Sequence, residues 1–152
     1  MKRKILKIIM LIMLPCILIM GCNKKQITIN QIYEALSNNK DKFVDDVDSL
    51  KIGYGYGKCD EYKILWENKF EGDNIDTTNL TTVAYMLIYN DSFDINIEIK
   101  VFRFTNTKSA KKVYEKYDFS KDELSAKQYG NLVVAAVKDH DSKVFSIIDK
   151  IK

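Results

Sequence analysis

Chemistry in this chain has few residues to draw on. His140 is the only histidine, and it stands between Asp139 and Asp141. One imidazole beside carboxylates is the minimum for general acid/base work. Zinc, by contrast, needs three or four protein ligands, and no second histidine or spaced cysteine pair is present. Ser125, Ser142 and Ser146 lack the glycines of a nucleophile elbow. Gly53-Tyr-Gly-Tyr-Gly-Lys58 has the look of a phosphate loop but fails its spacing: Ile52 stands where the first Walker glycine belongs, and Cys59 follows the lysine where Ser or Thr is required. That stretch reads instead as a flexible turn or strand edge, with Tyr54 and Tyr56 as contact residues for a partner. Asp45-Asp46-Asp48, Asp60-Glu61 and Asp73-Asp76 are carboxylate groups without the spacing of a calcium loop. They read as solvated surface. No catalytic, cofactor-binding or metal-binding residue is assigned, and no cofactor is expected.

The elements that position these residues follow from periodicity. Thr28 and Gln31 form a capping box, Ile27 and Ile32 stand at staple positions, and Ile29, Ile32, Tyr33 and Leu36 make one helical stripe. Ser37-Asn38-Asn39 ends it, and Phe43, Val44 and Val47 suit a second short helical turn. Residues 60–70 fit both periods: Tyr62, Leu65, Trp66 and Phe70 are helical, and Tyr62, Ile64 and Trp66 alternate. The sheet-like sequence that follows favours a strand, with Trp66 exposed beside Tyr54 and Tyr56 if the three gather into an interaction patch. Gly72–Asn79 is a polar loop. Thr82–Tyr89 and Ile95–Val101 flank an Asn90-Asp91-Ser92 turn as an antiparallel hairpin. The apolar parity slips at Val101-Phe102, as at a bulge or at a strand end covered on both faces. Ala110, Val113, Tyr114 and Tyr117 stripe a helix over 107–118, capped by Asn106 or Thr107. A polar loop follows. Leu132–Val137 is continuously apolar, which suits a central strand buried on both faces. A last helix caps at Asp141 or Ser142 and buries Val144, Ile147, Ile148 and Ile151. The order predicts an α+β domain, an antiparallel sheet of about four strands with helices packed on one face.

The start of the chain is different in kind. Lys2, Arg3, Lys4 and Lys7 precede 13 apolar residues, Ile8–Met20. A spanning helix needs about 20 such residues, so this run has the length of a signal-peptide h-region. It stops at Ile19-Met20-Gly21-Cys22, which resembles the lipobox of bacterial lipoproteins; Ile19, Gly21 and Cys22 match, and Met20 is a less usual occupant of its position. The resemblance implies cleavage before Cys22 and a diacylglycerol thioether on its thiol, the chain thus held on the outer face of the cell membrane. It divides the chain into a signal peptide (1–21), a tether (22–27) and one domain (28–152). With Cys22 acylated, Cys59 has no partner for a disulfide, and Cys16 is one more apolar residue of the leader.

From Cys22 onward there are 20 basic and 21 acidic residues, a net charge of −1, although the whole chain carries +3. The excess positive charge belongs to the leader. A nearly neutral body has no surplus charge to drive counterion release, so no nucleic-acid partner is expected. The heavy use of Lys, Ile, Asn and Tyr matches an AT-rich bacterial genome. Glu98-Ile-Lys-Val-Phe-Arg-Phe, Ser109-Ala-Lys-Lys-Val-Tyr-Glu and Tyr129-Gly-Asn-Leu-Val-Val-Ala resemble small clostridial lipoproteins with a domain of unknown function. That resemblance implies an exported protein and supplies no catalytic residues. The expected role is a non-enzymatic binding module whose partners are membrane lipid, through Cys22, and an envelope protein. The alternative is a small envelope enzyme using His140 with a nearby carboxylate.

Growth with a labelled fatty acid should therefore mark the wild-type protein, and Cys22→Ala should lose the label completely. Two acyl chains, at about 0.8 kcal/mol per buried methylene, make the difference between stable and marginal anchoring.

Overall fold

The computed structural model describes residues 26–44, 50–56, 60–92 and 94–151. Cys22, Val47 and Cys59 lie outside the described residues. In chain order the elements are α1 (Ile29–Ser37), β1 (Lys51–Tyr56), α2 (Asp60–Gly72), β2 (Leu80–Tyr89), β3 (Asn96–Phe104), α3 (Thr107–Lys116), β4 (Leu124–Tyr129), β5 (Leu132–Val137) and α4 (Asp141–Ile148). Short 3₁₀ turns occupy Lys40–Lys42 and Phe119–Asp122.

The strands form one five-stranded sheet in the order β1-β2-β3-β5-β4, every neighbouring pair antiparallel. The α+β class expected from the sequence is the observed one, with five strands where about four were expected. Two of the five lie outside the expected four, whose member at residues 60–70 is a helix: β1, for which a turn or a strand edge was expected, and β4, which the polar composition of residues 118–131 disguised as a loop. β4 joins β5 through the two-residue loop Gly130-Asn131. Gly130 has φ +61°, and Asn131 is not among the positive-φ residues, as in hairpin turns whose first central position calls for glycine.

Helices cover both faces of the sheet rather than one. Ile29, Ile32 and Leu36 of α1 and Val144 and Ile148 of α4 pack with Ala84, Met86, Ile88, Ile97, Ile99, Val101, Leu132, Val134 and Ala136. On the opposite face Trp66 and Phe70 of α2 and Ala110 and Val113 of α3 pack with Val83, Phe102, Phe104, Val133 and Ala135. This second core is aromatic. The Phe102 ring lies 4.9 Å from Trp66, 5.4 Å from Phe70 and 6.0 Å from Phe119. The parity slip at Val101-Phe102 now has its cause: the end of β3 is covered on both sides, so Val101 enters one core and Phe102 and Phe104 the other, all three buried. The one irregularity of register falls on the partner strand, between Leu80 and Thr82. β5 is likewise buried on both faces from Leu132 to Ala136, as its unbroken apolar run requires.

Residues 60–70 are helix, not strand. Trp66 and Phe70, one helical turn apart, are both buried, whereas Ile64, which the alternating pattern would place inward with Trp66, is 50% exposed. Two large rings on one helical stripe gain more by covering Phe102 than the alternating pattern could by adding an edge strand. α1 has its full capping box: Thr28 Oγ1 accepts from the Gln31 amide at 3.2 Å, and Gln31 Oε1 accepts from the Thr28 amide at 2.9 Å. Asn106 caps α3, its Oδ1 accepting from the Ser109 amide at 2.9 Å. At α4 the cap position falls to His140, one residue before the expected Asp141, and its side chain makes no capping bond.

The antiparallel register gives the sheet two distinct ends. At the proximal end, Gln26, Ile27 and Ile29 share a cleft with Arg103, Asn131 and Leu132, and Gln128 Nε2 donates to the carbonyls of Thr107 and Gly130. The distal end carries the β2–β3 turn, the start of β1 and the turn from β5 into α4.

Phe102→Ala should cost roughly 3–5 kcal/mol, the range for emptying a buried aromatic site. Asn106→Ala should cost about 1 kcal/mol, the usual worth of an N-cap. Urea unfolding of the two variants beside wild type measures both, and a Phe102 variant no weaker than the cap variant would contradict this core.

Candidate functional site

His140 ends the turn that leads from β5 into α4, its amide donating to the Val137 carbonyl at 3.1 Å. It is half-buried and lines an open cleft of about 610 Å³ together with Asp94, Glu123 and Asp139. Three carboxylates therefore line the same cleft as the imidazole at the distal end. Among the described residues, however, no carboxylate is hydrogen-bonded to the ring, and no group of three His, Cys, Asp or Glu side chains is arranged to hold a metal ion. The nearby serines are not brought to it as nucleophiles. The Ser146 hydroxyl donates to the Lys143 carbonyl at 2.9 Å, and Ser142 lies in the first turn of α4.

The stretch carrying Tyr54 and Tyr56 is an edge strand, one of the two forms expected of it. Tyr54 stands opposite Met86 and Tyr56 opposite Ala84, with β2 on one side and no strand on the other among the described residues. Gly53 and Gly55 stand opposite Leu87 and Tyr85. A Cβ at Gly53 would meet the Tyr89 ring at 3.5 Å, and one at Gly55 would meet nothing within 4 Å. The surface of β1 beside Tyr85 is thus bare backbone. Trp66 does not belong to this surface; it is 2% exposed.

Sequence reasoning missed the helix that borders this strip. Of the four exposed large apolar side chains among the described residues, three lie in one turn of α2: Tyr62 at 44%, Ile64 at 50% and Leu65 at 48%. Tyr62 stacks on Tyr85 of β2, ring centres 5.8 Å apart and planes 19° from parallel. The result is a shelf with a floor of glycine backbone and Leu87, walled by the Tyr62–Tyr85 pair. Once 60–70 is read as helix, Trp66 and Phe70 take the core side and Ile64 must point outward. That signal was in the sequence, hidden by the strand reading.

A polar network pins α2 beside the shelf. Glu98 and Lys100 of β3 form an ion pair at 2.8 Å. Lys100 Nζ lies 5.7 Å from the Trp66 ring centre, and Lys69 Nζ lies 4.6 Å from it. Lys69 also pairs with Asp122, which accepts the Tyr117 hydroxyl as well. Partial burial works to raise the Asp122 carboxyl, but its bonds from Lys69 and Tyr117 outweigh this and hold it below the ordinary range. Glu98 is depressed in the same way, burial opposing and the bonds from Lys100 and Tyr85 prevailing. Burial, then the hydrogen bond to its carboxylate partner, raises the phenols of Tyr85 and Tyr117. These tyrosines remain protonated donors at neutral pH.

The second interhelical feature is a cleft of about 460 Å³ between α1 and α4, with Glu34, Lys42, Lys143 and Lys150 at its rim and Ala35 and Ile147 in its floor. Lys143 is already engaged, Nζ donating to the Phe43 carbonyl at 3.0 Å, and Lys42 bonds Asn39 at 2.8 Å. No helix among the described residues is long and apolar enough to cross a membrane.

A carboxyl depressed by folding stabilises the native state above its unfolded value, and that contribution is lost as pH falls through the folded one. Stability should therefore decline from about pH 5 to about pH 3 as Asp122 and Glu98 take up protons. Asp122→Asn should lower stability at neutral pH by on the order of 1 kcal/mol and shrink this acid loss. Urea midpoints at both pH values test it; an acid loss identical to that of wild type would mean the network is not its source.

No protein-family model, no curated protein and no solved structure matches the chain.

Proposed function

We propose that this chain is a lipoprotein of the bacterial cell envelope, anchored through acylated Cys22 on the extracytoplasmic face, whose folded domain binds another envelope protein. The leader and its resemblance to a lipobox support the anchor. The observation that carries the binding role is the exposure of Tyr62, Ile64 and Leu65 within one turn of α2, with Tyr62 stacked on Tyr85, the residue opposite Gly55 of an edge strand. Scattered exposed apolar residues are ordinary, whereas a cluster flanked by bare backbone marks a place where a partner gains by covering it. Tyr54 and Tyr56 lie on that same strand, which keeps them as contact residues in this reading. An edge strand also offers unpaired amides and carbonyls to an extended partner segment.

A second reading is favoured by the His140 cleft, where Asp94, Glu123 and Asp139 converge on the same open space. There the imidazole would act as general base and a carboxylate would orient it.

A photo-crosslinking side chain at Leu65 of the full-length protein, in native membranes, should give a discrete adduct that a probe at exposed Tyr114 of α3 does not. Tyr62→Ser with Ile64→Ser should abolish the adduct while the domain stays folded, the lost Tyr62–Tyr85 stack costing about 0.5–1.5 kcal/mol. Equal yields from both positions, or no adduct, overturn the binding role at this surface. A His140→Ala strain with a lost envelope phenotype and an intact adduct would favour the enzyme reading instead.

A further inference from the structure

The two ends of the sheet differ in charge, and the difference has a direction. At the distal end stand Asp91, Asp94, Glu123, Asp139 and Asp141, against Lys51, Lys138 and Lys143. Lys51 is already paired with Asp91. The proximal end holds Arg103 at the end of β3, Lys108 at the start of α3 and Lys150 just beyond α4, where it shares a cleft with Gln31 of the first turn of α1. All three are exposed, and none has an ion-pair partner among the described residues. Two carboxylates at this end are occupied, Asp149 by Lys127 at 2.6 Å and Tyr129 at 3.0 Å, and Asp76 by the Thr78 amide and hydroxyl at 3.0 and 2.8 Å, while Glu34 lines the cleft of Lys150 without an ion pair to it among the described residues.

The described chain begins at this same basic end. Gln26 packs on Gly130, the distance from its Cγ to a Cβ built there being 3.7 Å, and it shares a cleft with Arg103. Cys22 lies four residues earlier. Four extended residues reach about 14 Å, less than two Debye lengths of about 8 Å at physiological salt. The distal carboxylates stand a strand length further off, about 30 Å for nine or so residues, where a surface potential is screened out.

We propose that the proximal end rests on an anionic lipid surface, with Arg103, Lys108 and Lys150 among the headgroups and the acidic distal end directed away from it. This orientation rests on acylation of Cys22 as proposed above. It supplies what the anchor alone does not, a preferred face. A tether of a few residues keeps the domain close to the bilayer but leaves it free to roll. Three unpaired bases on the tethered end and a surplus of carboxylates on the other bias that rolling one way. The His140 cleft then opens toward the space beyond the membrane, and β1 and α2 stand on the flank.

The test uses the full acylated protein, reconstituted into vesicles of equal phosphatidylglycerol and phosphatidylcholine and into phosphatidylcholine alone, followed by amide hydrogen exchange. Peptides spanning 103–108 and 128–132 should exchange about fivefold or more slowly on the anionic vesicles, the factor that a single base near the surface supplies. Peptides spanning 90–96 and 137–142 should be unchanged. Arg103→Glu with Lys108→Glu, both at exposed positions, should remove the difference. Slowing at the distal peptides, or equal rates on the two vesicles with Cys22 acylated, overturns the orientation and leaves the anchor standing. An unmodified Cys22 overturns the anchor and the orientation together.

Discussion

β3 must bury both of its sides at once. Its register places it between β2 and β5, and its last residues pass alternately into two different cores, Val101 among aliphatic side chains and Phe102 among aromatic ones. A strand in that position cannot leave either side to water, so each face of the sheet must be supplied with helices. α1 and α4 meet that demand on the aliphatic face. On the other, α2 supplies Trp66 and Phe70, α3 supplies Ala110 and Val113, and the 3₁₀ turn adds Phe119. The three-layer arrangement follows from this one strand, as does the placement of α2, whose outer turn makes the candidate surface.

Much of this was readable from residue order. The capping box at Thr28 and Gln31, the β2–β3 hairpin, the stripe of α3 and the doubly buried run of β5 were legible because each depends on a local pattern whose period matches its burial. Two elements were not. Residues 60–70 satisfy both periods, and only the position of Phe102 across the sheet decides that Trp66 and Phe70 must share one side. β4 reads as a loop because Ser125, Lys127 and Gln128 are polar, and an edge strand needs apolar side chains only where a helix covers it. Its local signal was Gly130-Asn131, the loop that closes the hairpin. The one-faced arrangement fails for a related reason: a strand end covered on both faces, one of the two causes that the slip at Val101-Phe102 admits, is the mark of a second core.

The candidate site was less legible than the fold, and again the cause is physical. Tyr54 and Tyr56 drew attention through composition alone, and their strand proved to be an edge. The apolar side chains beside it became visible only after the helix was placed, because exposure is a property of the packed chain. His140 shows the converse. Sequence put it between two carboxylates, while Asp94 and Glu123 reach its cleft from the β2–β3 turn and from the left-handed residue that precedes β4, at distances along the chain that no motif encodes.

The two edges of the sheet complete the argument about where a partner can approach. β4 is guarded. Lys127 is tied to Asp149, the Tyr129 hydroxyl donates to the same carboxylate, and Gln128 Nε2 closes on the carbonyls of Thr107 and Gly130. Charged and tethered side chains along an edge oppose pairing with another strand. β1 has a different composition: after Lys51 and Ile52 it alternates glycine with tyrosine through Tyr56, and Gly55 leaves the backbone accessible from the shelf side. Glycine weakens a strand's own cohesion and permits close approach of another backbone. An edge with that composition, bordered by Tyr62, is a poor structural choice if nothing is to cover it. Covering it would bury apolar area of α2 and satisfy the free edge in one step, a gain that the guarded edge at β4 does not offer.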